Sequence, residues 1–384
     1  MTTPQPHRPL EGLVVADLSR VLAGPYCSML LADLGADVIK VESPAGDDTR
    51  TWTPPATDDG TSTYYLSINR NKRSIVLDFK DPDDLEVART LLRRADIALE
   101  NFKPGGIDKF GLGYDAVRDD NPGLIYLSIS GFGTGAGASL PGYDLVAQAV
   151  SGLMSLTGEQ DGPALRAGIS VFDVMTGLHG LIGILAALEQ RHRTGEGQHI
   201  EVNLLASAMS GLVNQTAAFT AGGVVPQRMG NAHPSVYPYQ TMPTADRDVI
   251  ITAANDRQFR ELCGVLGLDG IADDPRFALN ADRTANRDEL HPILVDALSR
   301  WSADDLFTEL NAAGVPCGPI NSIAEGVDLA ERLDLAPRVR VGDADRGVDL
   351  VRNPIGFSGS EIRYDLPPPR LGEHSDEIRA WLAN

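Results

Sequence analysis

The chain has 384 residues, enough for two domains that each bury a core. With 42% apolar and 22% charged residues its composition is that of a globular protein, which excludes a disordered chain. A formal net charge of −20 argues against nucleic acid or an anionic membrane as partner, unless basic residues cluster locally. The opening "MTTPQPHRPLEG" has no cationic stretch followed by an apolar one, so no signal peptide is expected. The most apolar run, "GLHGLIGILAALEQRHR", is shorter than the ~20 apolar residues of a membrane span. Cys27, Cys263 and Cys317 are far apart and form no CxxC pair, which points to a reducing, cytoplasmic setting. The histidines are scattered without HExxH or Cys/His pairing, so no metal site is expected.

In chain order, "GLVVADL" reads as a strand and "AGPYCSMLLADLGA" as a helix, with Pro25 in its first turn and Gly35 as its stop. "DVIKVE", "SIVLDF", "DIALENF" and "LIYLSIS" read as further strands, with the helical "DDLEVARTLLRRA" among them. Residues 172–193 read as one long helix, followed by the strand "HIEVNLL". Strands alternating with helices predict an α/β protein with a Rossmann-like open parallel sheet, whose ligands bind at the carboxyl ends of the strands. From 221 to 247 the chain turns rich in Gly, Pro and polar residues, which marks the passage to a second, smaller α+β domain. There "VIITAA" reads as a strand and "DRQFRELCGVLG" as a helix. Ser302 and Asp305 form an S-x-x-D helix start. The tail ends in an extended "LPPPRLGEH" and a final helix.

Three constellations could carry chemistry. Asp173 falls in the first turn of the long helix, where the helix dipole and free amides favour a carboxylate. A partly desolvated carboxylate can attack a thioester. A plain helix cap is the default reading of the same position. Arg70, Lys72 and Arg73 cluster in "NRNKRS" as a solvated patch or a docking point for a small polyanion. "ENFKPGGIDKFGLGYD" places Asn101, Phe102, Lys103 and Lys109 just past a strand, which suits a nucleotide tail. The glycines of "GFGTGAGASLPGYD" do not fit a dinucleotide fingerprint, because the loop is too long and no strand follows. A mobile loop over a site, or a plain surface loop, remains for them.

Together these segments, with "RVLAGPY", "FDVMTGLHGLIGILAALEQRHRTGEGQHIEV", "GNAHPSVYPYQ", "GVPCGPIN" and "PPPRLGEHSDEI", resemble the class III CoA-transferases, nearly end to end and in order. The look is closest to the succinyl-CoA:glutarate branch. The resemblance implies that Asp173 is the covalent nucleophile and that CoA is a substrate, with no other cofactor. It places CoA contacts on Val21, Leu22, Ala23, Leu77, Asp78, Phe79, Lys80, Asn101, Phe102, Lys103, Lys109, Ser130, Gly131, Phe132 and Gly133, beside Arg73 of the basic cluster. Leu22, Ser43, Lys109, Ser130 and Phe132 depart from the formyl-CoA:oxalate enzymes, which argues against oxalate as the acid. Arg50 and Arg166 are candidates to pair with a distal carboxylate. Tyr64, Tyr143 and His233 are further candidates near the acyl group.

The resemblance also implies a homodimer of two interlocked rings. Each chain would have a large domain (1–205), a linker (206–229), a small domain (230–325) and a C-terminal segment (326–384) returning to the large one. Two rivals stand beside the transferase. An α-methylacyl-CoA racemase would need a histidine where Tyr143 stands in "GYD", and tyrosine is a poor proton shuttle at neutral pH. A non-catalytic acyl-CoA binder would have no need of Asp173.

Overall fold

The computed structural model describes residues 7–384. The chain divides into two units. The larger comprises Met1–Leu153, Arg166–Val224 and Ala336–Asn384, and the smaller Met154–Leu165 and Val225–Leu335. The division thus falls at 224 rather than 205, because the expected linker forms the helices Leu204–Gly211 and Val213–Thr220 within the larger unit.

The larger unit is built on six strands: β1 (Val14–Asp17), β2 (Asp37–Glu42), β3 (Lys72–Val76), β4 (Ile97–Glu100), β5 (Ile125–Ser130) and β6 (His199–Asn203). All pair in parallel, in the order β3-β2-β1-β4-β5-β6. Alternation along the strands sends side chains to two cores. Val15, Leu99, Ile125 and Leu127 face the helices Ala23–Asp33 and Val171–Thr194, while Ala16, Ala98 and Tyr126 face Pro82–Arg94 and Ser375–Ala383. Val171–Thr194 is long and apolar enough to span a bilayer by length and composition. Its Leu181, Ile184 and Leu188 lie in the first core. Gly177 and Gly180 let it approach closely, for a Cβ there would stand 2.6 Å from the Ala23 carbonyl oxygen and 2.7 Å from Leu127.

The smaller unit has an antiparallel sheet of β7 (Tyr239–Pro243), β8 (Asp248–Thr252) and β9 (Cys317–Pro319). Helices Asp256–Leu266, Arg287–Leu298 and Ala303–Ala312 contribute Phe259, Leu262, Leu294 and Leu306 to its core. Ser302 accepts from the Asp305 amide at 3.2 Å, as the S-x-x-D spacing predicts. After it, β10 (Arg338–Val341) and β11 (Val348–Val351) form a hairpin of the larger unit.

Candidate active site

The sheet order reverses direction between β1 and β4, and the crevice beyond their carboxyl ends is where such folds bind ligands. A cleft of roughly 170 Å³ opens there. Arg20–Ala23 after β1, Asn101–Pro104 after β4, Ser130 and Gly131 ending β5, Leu140–Tyr143, Leu204 and Asp173 line it. Fourteen of the candidate site residues named from the sequence are brought together in this way or in the neighbouring cavity that shares Phe102, among them Leu77, Asp78, Phe79 and Lys80. In that second cavity the rings of Phe79 and Phe110 pack 5.4 Å apart.

Asp173 begins the long helix but does not cap it. Asp144 does: its Oδ1 accepts from the Phe172 amide at 2.7 Å and the Asp173 amide at 3.1 Å. Gln148 holds Asp144 in turn, donating to its Oδ2 and to the Ile169 carbonyl, and accepting from the Ala167 amide. The amides expected to favour an ionised Asp173 are therefore already occupied. Burial, and then the charge of Asp144, push the Asp173 carboxyl up to about 7. A carboxylate so poorly stabilised is more basic and a better nucleophile than an exposed one. Tyr64 stands close by, its hydroxyl hydrogen-bonded to Ser170 and its own ionisation opposed by burial. Tyr143 lines the cleft and is exposed, at the position where a racemase would need histidine.

The basic cluster corrects the sequence reading. Arg70 is buried and grips both oxygens of Asp33 at 2.8 and 2.6 Å. Lys72 is fully buried against Asp17, Asn69 and the Pro25 carbonyl, and burial lowers its ammonium to about 8. Arg73 pairs with Asp37 and Glu377. These cations hold β3 in the fold rather than facing a phosphate. Arg50 is likewise engaged, by both oxygens of Glu42 at 2.8 and 2.7 Å and by Tyr65. It borders a different cavity, one that lacks Asp173. Arg166 is exposed and lines neither this cavity nor the cleft. His233 belongs to the smaller unit, where its Nδ1 accepts from the Ser235 amide. Phe132 and Lys109 line neither the cleft nor its neighbour. Lys80, Lys103 and Lys109 are exposed and form no ion pair among the described residues.

Sequence reasoning missed Asp144 and Asp47. Asp144 directly follows Tyr143 in "GYD", and Asp47 sits in "GDDTR", but nothing local marks a partner 28 residues away for the first or 26 for the second.

Comparison with known proteins identifies the family of the chain. The family model described as CoA-transferase family III matches residues 10–375. Succinate–glutarate CoA-transferase of Agrobacterium fabrum is 46% identical over 99% of this chain and 98% of its own length. The succinyl-CoA:glutarate CoA-transferase of Homo sapiens is 40% identical over 97% of this chain and 85% of its own. Acetyl-CoA:oxalate CoA-transferase of Acetobacter aceti is 40% identical over 100% and 98%. Among solved structures, a CAIB/BAIF family protein from Brucella suis superposes with a TM-score of 0.88 at 45% identity, covering 97% of this chain and 99% of that one. A cleft at the switch point of the sheet, with a half-buried aspartate in it, thus belongs to a chain that is a member of CoA-transferase family III.

Proposed function

We propose that the protein transfers CoA from succinyl-CoA to a short dicarboxylate such as glutarate, through covalent intermediates on Asp173. The observation that carries the chemistry is the carboxyl of Asp173, half-buried and raised to about 7, in the cleft at the strand ends. Asp173 attacks the thioester carbonyl, the C–S bond breaks, and CoA thiolate leaves an aspartyl–acyl anhydride. The thiolate attacks the aspartyl carbonyl, which frees the donor carboxylate and leaves an aspartyl-CoA thioester. The acceptor carboxylate attacks that thioester to give a new anhydride and thiolate. Attack of the thiolate on the acceptor's acyl carbonyl releases its CoA ester and restores Asp173. Electrons balance in pairs, and no proton, metal or further cofactor enters.

The substrates are supported by the names of the glutarate-transferring relatives. With Arg50 held by Glu42, the cations that line the cleft are Arg20 and Lys103, and these would meet a distal carboxylate or the CoA phosphates. Lys80, which lines the neighbouring cavity, would serve the phosphates as well. The homodimer of the resemblance has support in exposed apolar residues of four helices, among them Val146, Val150, Leu178, Ile182, Met209 and Phe219. A cytoplasmic location rests on the unpaired cysteines.

The test is exchange of CoA from succinyl-CoA to a panel of acids, with products and protein read by mass. Glutarate should exceed butyrate in kcat/KM by more than about tenfold, because only the dicarboxylate can form a charge-assisted hydrogen bond between its distal carboxylate and a cation of the cleft. Asp173→Ala should abolish both exchange and the protein adduct. An Asp173→Ala variant that exchanges normally overturns the nucleophile. Equal use of butyrate overturns the dicarboxylate.

A further inference from the structure

The turn that joins β1 to the helix Ala23–Asp33 is in an unfavourable conformation. Val21 has a φ of +69°, a left-handed value that a β-branched side chain resists. Such a residue persists only when its surroundings impose it. Here side chains from elsewhere in the sheet take the backbone of the turn. Lys40 donates to the Ser19 carbonyl at 3.2 Å. Asn101, at the end of β4, accepts from the Arg20 amide at 3.0 Å and donates to the Arg20 carbonyl at 2.7 Å. Asp47 receives the Val21 amide at 3.3 and 3.4 Å, and is itself fixed by Lys40 at 2.8 Å and by Thr49. Lys40 and Asp47 are buried as a pair, at 0% and 1% exposed.

What this arrangement orients lines the same cleft as Asp173. Val21, Leu22 and Ala23 line the cleft with the nucleophile, and the helix they open has no side-chain cap. Gly177, one turn beyond Asp173, rests directly on the Ala23 carbonyl. A small change in the turn would therefore change the space in front of the reacting carboxylate.

We propose that Asn101 and Asp47 are positioning residues, which clasp the Arg20–Val21 backbone in its strained form and thereby fix the part of the cleft wall that Val21, Leu22 and Ala23 form beside Asp173. The resemblance places Asn101 against CoA, but both ends of its amide are on Arg20. The proposal rests on the reading of Asp173 as the nucleophile of CoA transfer.

Asn101→Ala removes both bonds of the clasp. Its kcat for succinyl-CoA-dependent exchange should fall by about a hundredfold, the cost of misplacing reacting groups by about 1 Å. The KM for acyl-CoA should move less than about threefold, since no contact to CoA is lost. Rescue separates positioning from general damage. Glycine reaches φ +69° without strain, so the double variant Val21→Gly/Asn101→Ala should recover part of the lost kcat. If Asn101→Ala does not fold, Asn101→Asp keeps the acceptor for the Arg20 amide while losing the donor, and should fold with a smaller loss. A raised KM with unchanged kcat would make Asn101 a CoA contact and overturn the clasp. A double variant no better than the single one would overturn it too. Wild-type protein is assayed alongside: no exchange by it with any acid overturns the transferase reading itself, whereas normal exchange with an undiminished Asn101→Ala overturns the clasp alone.

Discussion

Asp173 and Asp144 form an unequal pair of carboxyls. Asp144 has two backbone amides and Gln148 for partners, whereas Asp173 accepts no hydrogen bond among the described residues. The anion of Asp173 is the attacking species, so kcat/KM should rise with pH through about 7 and level off above it. Asp144→Asn retains an oxygen for the Phe172 amide but removes the neighbouring charge. It should carry that rise to lower pH, which a pH–rate profile will read. Stability runs in the opposite direction. A carboxyl whose pKa is higher folded than unfolded binds more protons when folded, so between the ordinary value of 3.8 and about 7 the fold loses stability as pH rises. Asp173→Asn removes that loss, and should unfold at a higher temperature than wild type at pH 8 while being inactive.

The helix Val171–Thr194 was legible from its apolar period, its Gly195 stop and its basic last turn. So were the strands of the sheet, because buried parallel strands read as short apolar runs between turn signals. The use of the charges was not legible. "NRNKRS" reads as a surface patch or a polyanion docking point, yet Asp33, Asp17 and Asp37 lie 37, 55 and 36 residues away from the cations they bind. Local composition carries no information about such pairs. Arg70→Ala should accordingly cost about 3–5 kcal/mol by leaving Asp33 buried without its guanidinium, with KM for acyl-CoA unchanged in what still folds. Chemical denaturation measures the first and steady-state kinetics the second. Gly177 allows an opposite choice of sign. Alanine in a helix interior normally gains about 1 kcal/mol over glycine. At 177 its Cβ would meet a backbone oxygen at 2.6 Å, and overpacking costs about 1–3 kcal/mol. Gly177→Ala should therefore destabilise. Gly183→Ala, which meets only the tip of Ile200 at 3.1 Å, should be tolerated better.

At the scale of the molecule, sequence texture located a second domain but not its edges. Met154–Leu165 joins the smaller unit from within the longer stretch of the larger one, and no composition change announces it. The exposed apolar helices of the larger unit predict a dimer that persists on dilution. Sedimentation at nanomolar concentration should show one species of twice the 41.0 kDa chain mass.

The residues after 335 complete what the first hundred begin. Asn353 donates to Asp33 at 3.0 Å, the Arg363 amide donates to the Asp33 carbonyl, and the Leu366 carbonyl takes the Asn71 amide. Ile378 and Leu382 fill the core behind the sheet. During synthesis, then, the two units do not mature in the order in which they begin. Every residue of the smaller unit has been synthesised once Leu335 is added, whereas the larger unit still lacks Ala336–Asn384 at that point. A polypeptide released early at that point carries its nucleophile and nearly all of its cleft, but a buried carboxylate short of one partner and a core short of one helix. Quality control would meet it as an unfinished protein, and nonsense changes near the end of the gene should therefore be as damaging as those near its start.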